Sequence, residues 1–482
     1  MDVETYGNYL TDKDARILCC GAYGDGIDRV FDFDKEQDKQ ECFDLIRDPS
    51  INIIWHNCLF DNGWFHDKYN VVPKGVIHDT MTRASLINEY EPLSLDECCK
   101  RMHVQGKNKS ETIEAWFEQW QTVMKGCAKG LKKGLVTDDN QVLNTEDGNT
   151  YKLSTGELEC LINGDYKKKV WDNALLLWQE APEFKEQMMK YNLQDCHATY
   201  SLFFAQEKFM GPVQKVYELE CKLIPILLRM KKVGIRFDEK HAQALTEKVS
   251  EKLSGVEQKL IDTYGITGEM INSSKQLGAR LNEMGIESPV RTKTGAQSWG
   301  EGALVRIHHP VTSLIFEYKN YYSILHKFLL GSLSASVVNG RIHCTFLPML
   351  REEGGTVTGR LSCRDPNLQQ IPARNKGHGE DFSQEMRSLF LPEEGQMIAA
   401  MDYSQIEAVL LAHFAKGQQA EWFRQRMRDG ADLHNIVMDM TGITYRPVVK
   451  TFNYGCIYGM GWKTAMEKNY TLVDKFAKEK NE

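Results

Sequence analysis

An acidic side chain stands where a strand-forming segment gives way to a helix-forming one. The apolar run at residues 397–401 is long enough for one buried strand, and the carboxylate of Asp402 follows it directly. An acid held at such a corner can bind a metal ion beside an active cleft. An Asp in an ordinary surface turn is the alternative, and this pattern alone leaves it open.

Two further sets of acids could hold metal ions. Asp2 and Glu4 alternate along a predicted strand, so both carboxylates point to the same side. Tyr191 and Asp195 are four residues apart on a predicted helix and share one of its faces. Asp61 follows another apolar run. A single acid indicates nothing by itself, because 26% of the residues in this chain are charged. The acids predict a metal site only if they lie together in the fold.

A third pattern combines cations with aromatic rings. Arg446, Lys450, Tyr454 and Tyr458 recur every four residues, which places them on one stripe of a helix, and Pro447 suits its first turn. Such a stripe suits a triphosphate with a base behind it. An exposed helical face is the plainer alternative.

Hydrophobic periodicity predicts the elements that position these side chains. Strands are expected over residues 16–23, 29–33 and 51–55, and a long helix from about Phe184. After Ser404, a natural N-cap, the period becomes helical. The predicted core face of that helix consists of Ile406, Val409, Leu410, His413 and Phe414. Further back, Ser273 or Ser274 caps a predicted helix, and Asn339-Gly340 joins two β runs as a hairpin.

Three stretches resemble, in order, the motifs of the family A DNA polymerases. They are TGRLSCRDPNLQQIP at 358–372, DYSQIE followed by HF from 402, and RPVVKTFNYGCIYG at 446–459. Three long motifs in the same order are highly specific. The chain is identified as a member of this family.

The resemblance implies roles for the polymerase residues. Asp402 would bind metal, Glu407 would crowd the sugar 2′ position and reject ribonucleotides, and His434 would contact the triphosphate. Arg446, Lys450, Tyr454 and Tyr458 would complete the nucleotide site. The implied contacts to DNA are Arg360, Arg364, Asn367, Gln370 and Arg374.

The first two hundred residues resemble the proofreading domain of the same family. Its three motifs, D-x-E, N-x3-D and Y-x3-D, are matched in order, the second by Asn57 and Asp61. The resemblance implies an RNase H-like α/β fold with two divalent ions, Mg²⁺ or Mn²⁺. The implied ligands are Asp2, Glu4, Asp61 and Asp195, with Tyr191 placing the attacking water. Asp79 also resembles the family, but at a position that is read as structural.

The predicted architecture has three parts. Residues 1–210 form the α/β exonuclease domain, with an insertion at about 104–170 that is either a solvated surface or a nucleic-acid contact. Residues 211–355 form a linker and a mostly helical thumb. Residues 356–482 form the first palm segment and part of the fingers of an α+β right-hand polymerase domain.

Composition agrees with a globular DNA enzyme. The net charge is −8, but residues 1–100 alone carry 20 acidic and 10 basic side chains, so the remainder is slightly basic. The thirteen cysteines are odd in number, scattered and without a C-x2-C pair, which favours a reducing cytoplasm in a bacterium or a phage-infected host. No apolar run reaches membrane-spanning length.

The chain departs from the family at three places. Only Met1 precedes Asp2, so the first strand is expected to be short and the core weakened. Val409 stands where the family usually has Arg. The sequence ends at Glu482, before the His-Asp-Glu motif of the second palm segment, so the chain alone is expected to lack DNA synthesis.

These departures leave several functional interpretations open. The favoured one is a C-truncated or split family A polymerase with proofreading, acting on primer–template, single-stranded 3′ ends and dNTPs. A separate C-terminal polypeptide would complete the split form. The alternatives are an autonomous exonuclease whose polymerase half only binds DNA, and a non-catalytic DNA-binding relic.

Overall fold

The computed structural model describes residues 1–106, 113–137, 139–169, 172–292, 294–349, 355–373 and 379–466. The chain divides into two compact units. The first comprises Met1–Glu239 with Gly331–Ile371, and the second comprises Lys240–Leu330 with Pro372–Glu482. The domain limits at 210 and 355 stay predictions.

The first unit is built on strands that arise from short apolar runs. The central strand, residues 16–24, runs antiparallel to both of its partners. A pair of parallel strands lies next to the first strand, where the Met1 nitrogen donates a hydrogen bond to Ile54 O at 2.7 Å. The central strand is buried over six consecutive residues, as expected when both faces of a sheet are covered. The strands are β1 Asp2–Tyr6, β2 Arg16–Gly24, β3 Ile27–Asp32, β4 Ile53–Trp55 and β5 Ile77–Asp79.

Helices cover both faces of these strands. On one face Leu18 and Cys19 pack with Phe184 and Met188 of the long helix α8, and on the other a larger apolar core contains both Trp55 and Trp64. The strands and the long helix predicted from the sequence are confirmed, as is the α/β exonuclease fold. The helices are α1 Glu36–Arg47, α2 Cys58–Lys68, α3 Thr80–Ile87, α4 Leu95–Met102, α5 Ile113–Lys132, α6 Thr155–Asn163, α7 Ala174–Glu180, α8 Pro182–Met210 and α9 Gln214–Val233.

The insertion has a small apolar core of its own. Helices α5 and α6 enclose it together with a hairpin of β6 Gln141–Leu143 and β7 Thr150–Lys152. A capping box begins α6, because Ser154 accepts from the Glu157 amide while the Glu157 side chain bonds back. The predicted insertion limits lie partly outside the described residues.

The first unit ends with short strands. Asn339 and Gly340 both have positive φ, 52° and 71°, as a two-residue hairpin turn requires, so the predicted hairpin is confirmed. Its second strand also pairs with the strand that follows α9. These strands are β8 Ile235–Phe237, β9 Val337–Val338, β10 Arg341–Ile342, β11 Thr345–Leu347 and β12 Ser362–Arg364.

The second unit is mostly helical. Ser273 caps a helix as predicted, since its hydroxyl accepts from the Gln276 amide, and Leu277 and Leu281 are buried. Its only strand among the described residues is β13 Phe390–Leu391. The helices are α10 Glu239–Tyr264, α11 Gly268–Asn272, α12 Ser274–Glu283, α13 Glu301–Leu304, α14 Pro310–Tyr322, α15 Ser383–Ser388, α16 Ile406–Phe414, α17 Gln418–Arg428, α18 Leu433–Thr441 and α19 Arg446–Ile457.

The prediction for the segment before Asp402 is wrong. Residues 397–401 form no strand, and the side chains of Met397 and Met401 are 87% and 92% exposed. A strand requires a hydrogen-bonded neighbour, and within the described ranges no strand pairs with this segment.

The predicted orientation of the next helix is also wrong. The N-cap of α16 is Gln405, not Ser404. Its buried residues are Ala408 and Ala412, because α17 packs there and Arg424 donates to Ala412 O at 3.1 Å. The predicted core face is exposed instead: Ile406, Val409, Leu410, His413 and Phe414.

Two negative findings concern the part of the chain that the structure describes. No helix there combines the length and apolar character needed to cross a membrane. All thirteen cysteines lie in the described ranges and are free thiols.

Candidate active sites

Strand β1 presents the first two acids of the candidate exonuclease site. Asp2 and Glu4 alternate on it and therefore share a face, and Glu4 is buried while Asp2 is half-buried. The pairing of β1 with β2 shifts register after Glu4, so the regular ladder is interrupted beside the acids.

Helix α8 supplies the third acid. One oxygen each from Asp2, Glu4 and Asp195 lie within 4.8 Å of one another. Asn192, one turn before Asp195, donates from Nδ2 to Oδ2 of Asp2 at 2.8 Å. Tyr191 is half-buried on the same helix, four residues before Asp195. The structure thus brings Asp195 of α8 to two acids at the other end of the exonuclease sequence.

Asp61 lies next to this cluster on α2. It is 3% exposed, and its Oδ1 accepts from the Val3 amide at 3.3 Å. Burial raises the pKa of Asp61 well above its ordinary value, and the negative charge of Asp2 raises it further. Asp61 is therefore close enough to Asp2 for the charge of Asp2 to affect its pKa. It does not belong to the group formed by Asp2, Glu4 and Asp195.

Asp79 holds the helix that carries Asp61. Its carboxylate accepts from the amides of Asn57 and Cys58 at the start of α2, at 3.3 and 2.8 Å. It also caps α3, accepting from Met81 and Thr82. A buried carboxylate with four amide donors is a structural group, in agreement with the prediction for Asp79.

The acids fit a divalent cation. Burial is the main cause of the raised pKa of Asp61, and the charge of Asp2 adds to it, so these carboxylates repel one another where no cation is bound. An all-oxygen donor set suits hard divalent ions rather than zinc, which prefers nitrogen and sulfur.

A second candidate site lies in the other unit, between α18 and α19. Asp432 caps α18 by accepting from the His434 and Asn435 amides, and its Oδ2 accepts from Arg446 at 2.7 Å. Burial raises the pKa of Asp432, but the hydrogen bonds from Asn435 and Arg446 outweigh burial and leave this pKa below its ordinary value. The cation of Arg446 is thus held at the start of α19.

The aromatic part of the predicted stripe lies against His434. The ring centroids of His434 and Tyr454 are 5.3 Å apart, and Asn453 Nδ2 lies 3.0 Å from His434 Nδ1. Lys450 Nζ is 5.9 Å from the Tyr454 ring centroid. Tyr458 is exposed at the end of the helix. The structure therefore groups most of the predicted nucleotide-binding residues.

Helix α16 joins this group through its first turn. Gln405 accepts from the Leu433 amide at 2.8 Å and donates to Ala431 O. Burial raises the pKa of Tyr454, and the charge of Glu407 contributes in the same direction. Asp402 is exposed and, among the described residues, belongs to no cluster of three metal-ligating side chains.

The predicted DNA contacts lie in the first unit. Arg360 and Gln370 are exposed. Asn367 has a local role, because its Oδ1 accepts from the Gln369 amide and begins the short helix Leu368–Gln370. Arg374 lies outside the described residues.

Three site residues were missed at the sequence level: Asn192, Asp432 and Asn453. Asn192 is a fully buried amide beside two predicted site residues, and polar side chains at buried helical positions were the available signal. Asp432 precedes a helix-forming run, a cap pattern that the sequence does show.

Comparison with known proteins gives two family matches. Residues 239–480 match the model of DNA polymerase family A, and residues 1–125 match that of the 3'-5' exonuclease. DNA polymerase I of Caldicellulosiruptor bescii is 34% identical over 52% of the chain and 29% of its own length. The DNA-directed DNA polymerase of Pseudomonas phage M6 is 31% identical over 56% of the chain and 43% of its own. The chain thus spans less than half of these relatives.

A solved structure shares the fold. The POL domain of Pol1 from M. smegmatis, in complex with DNA primer-template and dNTP, superposes with a TM-score of 0.63 at 20% identity. The superposition covers 99% of this chain and 71% of that one.

Proposed function

The chain belongs to DNA polymerase family A and has an N-terminal 3'-5' exonuclease domain, and from this premise we propose that it removes nucleotides from the 3′ ends of DNA. The observation that carries the proposal is the convergence of Asp2, Glu4 and Asp195 within 4.8 Å, with Asp61 beside them. Divalent ions are general to such domains. The finer proposal is two ions, Mg²⁺ or Mn²⁺, held by these four acids.

Bound ions would lower the pKa of a water molecule and stabilise charge on the phosphate oxygens. The chain's own residues supply the geometry. Asn192 orients the Asp2 carboxylate without neutralising it, and the Val3 amide fixes Asp61. Tyr191, one turn before Asp195, is proposed to hold the attacking water. The substrates proposed are single-stranded or frayed 3′ ends.

A second proposed function is a part in DNA synthesis. Arg446 and Lys450 would bind the triphosphate of a dNTP, Tyr454 and Tyr458 would lie near the sugar and base, and Glu407 with His434 would complete the pocket. The grouping of His434, Tyr454 and Lys450 supports this. Asp402 would bind metal, and Arg360, Asn367 and Gln370 would contact the primer–template.

Synthesis is proposed to need carboxylates beyond Asp402. Two ions that bridge a primer end and a triphosphate require more than one acid, and Asp402 joins no three-ligand cluster within the described ranges. We propose that a separate C-terminal polypeptide supplies the second acid in a split form. A primer-extension assay tests this. Extension by the pure chain that Asp402→Ala abolishes would contradict it.

The exonuclease is tested with oligonucleotides blocked at one end by phosphorothioate linkages. Digestion should require Mg²⁺, stop with a chelator and be prevented by a 3′ block only. Glu4→Gln should abolish it, and the exposed control Asp14→Asn should not. Equal digestion by the Glu4 variant would contradict the site, and intact binding without any hydrolysis would favour the DNA-binding relic.

The free cysteines support a cytoplasmic location as a further proposal.

A further inference from the structure

A cavity of about 570 Å³ lies in the first unit, lined by helices α2 and α9 and by the segment that leads into β5. Its volume is within the range of pockets that hold small ligands. None of the four acids of the candidate exonuclease site lines it. The functions proposed above therefore do not use this cavity.

Apolar side chains form much of the cavity wall. Val72 and Val76, which precede β5, are 45% and 54% exposed, and Leu228 of α9 is buried. A ligand with apolar faces would remove this surface from water, which is favourable. Glu218 and Lys222 also line the cavity and carry opposite charges, so their sum favours neither an anion nor a cation. The wall therefore suits an uncharged ligand.

One polar group in the wall lacks a hydrogen-bond donor. Asn62 of α2 is 2% exposed, and its Oδ1 accepts no hydrogen bond from any residue that the structure describes. The other end of the same amide is engaged, because Nδ2 donates to Cys58 Sγ at 3.9 Å. Leaving a buried amide oxygen without a donor is costly. A ligand that donates a hydrogen bond to Asn62 would remove this cost.

Helix α9 contributes a second acceptor. Pro225 lies inside this helix and has no amide hydrogen, so the carbonyl of Cys221, four residues earlier, lacks its usual helical donor. Both residues line the cavity. The nearby Tyr217 hydroxyl is already engaged, since it accepts from the Asp79 amide at 3.1 Å and lies 3.0 Å from His78 Nδ1. The ligand is therefore expected to carry a donor.

We propose that this cavity binds an uncharged planar heteroaromatic ring with one N–H donor, such as indole. The faces of the ring would contact Val76 and Leu228, and the N–H would donate to Asn62 Oδ1. Nucleobases fit this wall less well, because their further polar atoms would leave water without gaining partners. A free indole compound and the tryptophan side chain of a peptide both present the same ring.

The test compares indole with benzofuran, which has the same shape but an ether oxygen in place of the N–H. Titrations followed by ligand-observed nuclear magnetic resonance give both affinities. Indole should bind with a Kd of about 1 mM or lower, and benzofuran about fivefold more weakly, since it cannot donate to Asn62. Asn62→Leu keeps the volume and removes the acceptor, so the two affinities should become equal. Equal affinities for the unaltered protein, or a preference for benzofuran, would overturn the proposal.

A matched pair of variants tests where the ring binds. Val76→Asp places a carboxylate in the apolar wall at an exposed position and should weaken indole binding about tenfold or more. Val216→Asp makes the same change at a valine of α9 that is 47% exposed and does not line the cavity, so it should leave the affinity unchanged. Equal affinity of the two variants for indole would overturn the assignment to this cavity.

Thermal unfolding gives a second readout that does not depend on any enzymatic activity. Indole at a fixed concentration should raise the midpoint of unfolding of the unaltered protein and of the Val216 variant, because a ligand of the folded state stabilises it. The Val76 variant should fold normally but show a smaller rise. A rise of the same size in all three proteins would contradict binding in this cavity.

N-acetyltryptophanamide distinguishes the two sources of the ring, since it carries indole on a neutral peptide unit. Binding at least as tight as that of indole, and weakened by Val76→Asp, would support the site and identify a tryptophan side chain as the occupant. Binding of indole alone would support the site with a free small compound as its ligand. Failure of both compounds to bind the unaltered protein would overturn the proposal.

Discussion

Asn192 donates a 2.8 Å hydrogen bond to Asp2, although 190 residues separate them in the chain. The bond joins the long helix α8 to strand β1 at the point where the acids converge. A neutral amide can orient a carboxylate and leave its charge for a cation, whereas Lys or Arg would neutralise that charge. The contact explains how a half-buried acid keeps one orientation.

Asn192→Ala should therefore weaken the exonuclease without removing any acid. Loss of a hydrogen bond to a charged group costs about 1.5–3 kcal/mol, so we expect digestion to slow by about tenfold or more and to require more Mg²⁺. Rates over a Mg²⁺ titration measure this. Ser201→Ala, an exposed change on the same helix, is the control. A rate equal to that of the unaltered protein at limiting Mg²⁺ would show that Asn192 does not position Asp2.

The buried acids Asp61 and Asp79 should respond in opposite ways to neutralisation. In the presence of a chelator, Asp61→Asn should leave the free energy of unfolding unchanged or raise it, because a repelled carboxylate is removed. Asp79→Asn should lower it by about 3 kcal/mol, because a carboxylate that accepts from four amides is lost. Urea unfolding monitored by far-ultraviolet circular dichroism measures both. Equal destabilisation by the two changes would contradict the distinction between a metal ligand and a structural acid.

Added Mg²⁺ should stabilise the unaltered protein against urea, because an ion that binds only the folded state shifts the equilibrium toward it. Asp61→Asn should lose most of this stabilisation. Asp79→Asn should retain it in the fraction that is folded. A Mg²⁺ effect of the same size in the Asp61 variant would exclude this side chain as a ligand.

His434 should titrate below its ordinary range. Burial lowers the pKa of His434, and Arg446 and Lys450 lower it further, against the opposing charge of Asp432. Arg446→Gln should therefore raise this pKa, and Asp432→Asn should lower it. Nuclear magnetic resonance of labelled histidines measures the shifts, and a shift of the opposite sign in either variant would contradict the arrangement around α18 and α19.

The sign for stability follows from the same shift. Between the folded pKa and the unfolded value of about 6.5, the unfolded chain binds more protons at His434. The contribution of His434 to the free energy of unfolding is therefore fully present above about pH 6.5. It is lost as the pH falls from that value through the folded pKa. His434→Gln should flatten the pH dependence of the free energy of unfolding in that window.

Local sequence patterns predicted an element correctly where residues close in sequence determine its structure. Strand β2, helix α8 and the turn at Asn339 follow from runs, periods and turn chemistry that lie within a few residues of each other. Residues 397–401 have the same apolar pattern as a buried strand, but burial needs a partner strand, which a local pattern cannot provide. Helix α16 formed as expected with another face buried, because small alanines allow the closer approach of α17.

For the candidate sites too, local spacing was predicted correctly and contacts between distant residues were missed. Spacing predicted one common face for Asp2 and Glu4 and another for Tyr191 and Asp195, and the resemblance predicted that the acids meet. Asn192 was missed because its role depends on an atom 190 residues away. The link between Arg446 and Asp432 was missed because it depends on how α18 and α19 pack.

The rate of 3′-end digestion by Asp195→Asn in excess Mg²⁺ tests the central claim most directly. Asp195 comes from α8, while the other two converging acids come from β1, so the variant tests whether the fold assembles one metal site. Bound metal ions would stabilise the transition state by several kcal/mol, so losing them should slow digestion by about a thousandfold. The free energy of unfolding in the presence of a chelator should not change. Digestion within a few-fold of the unaltered rate would contradict the claim that these acids form the active site.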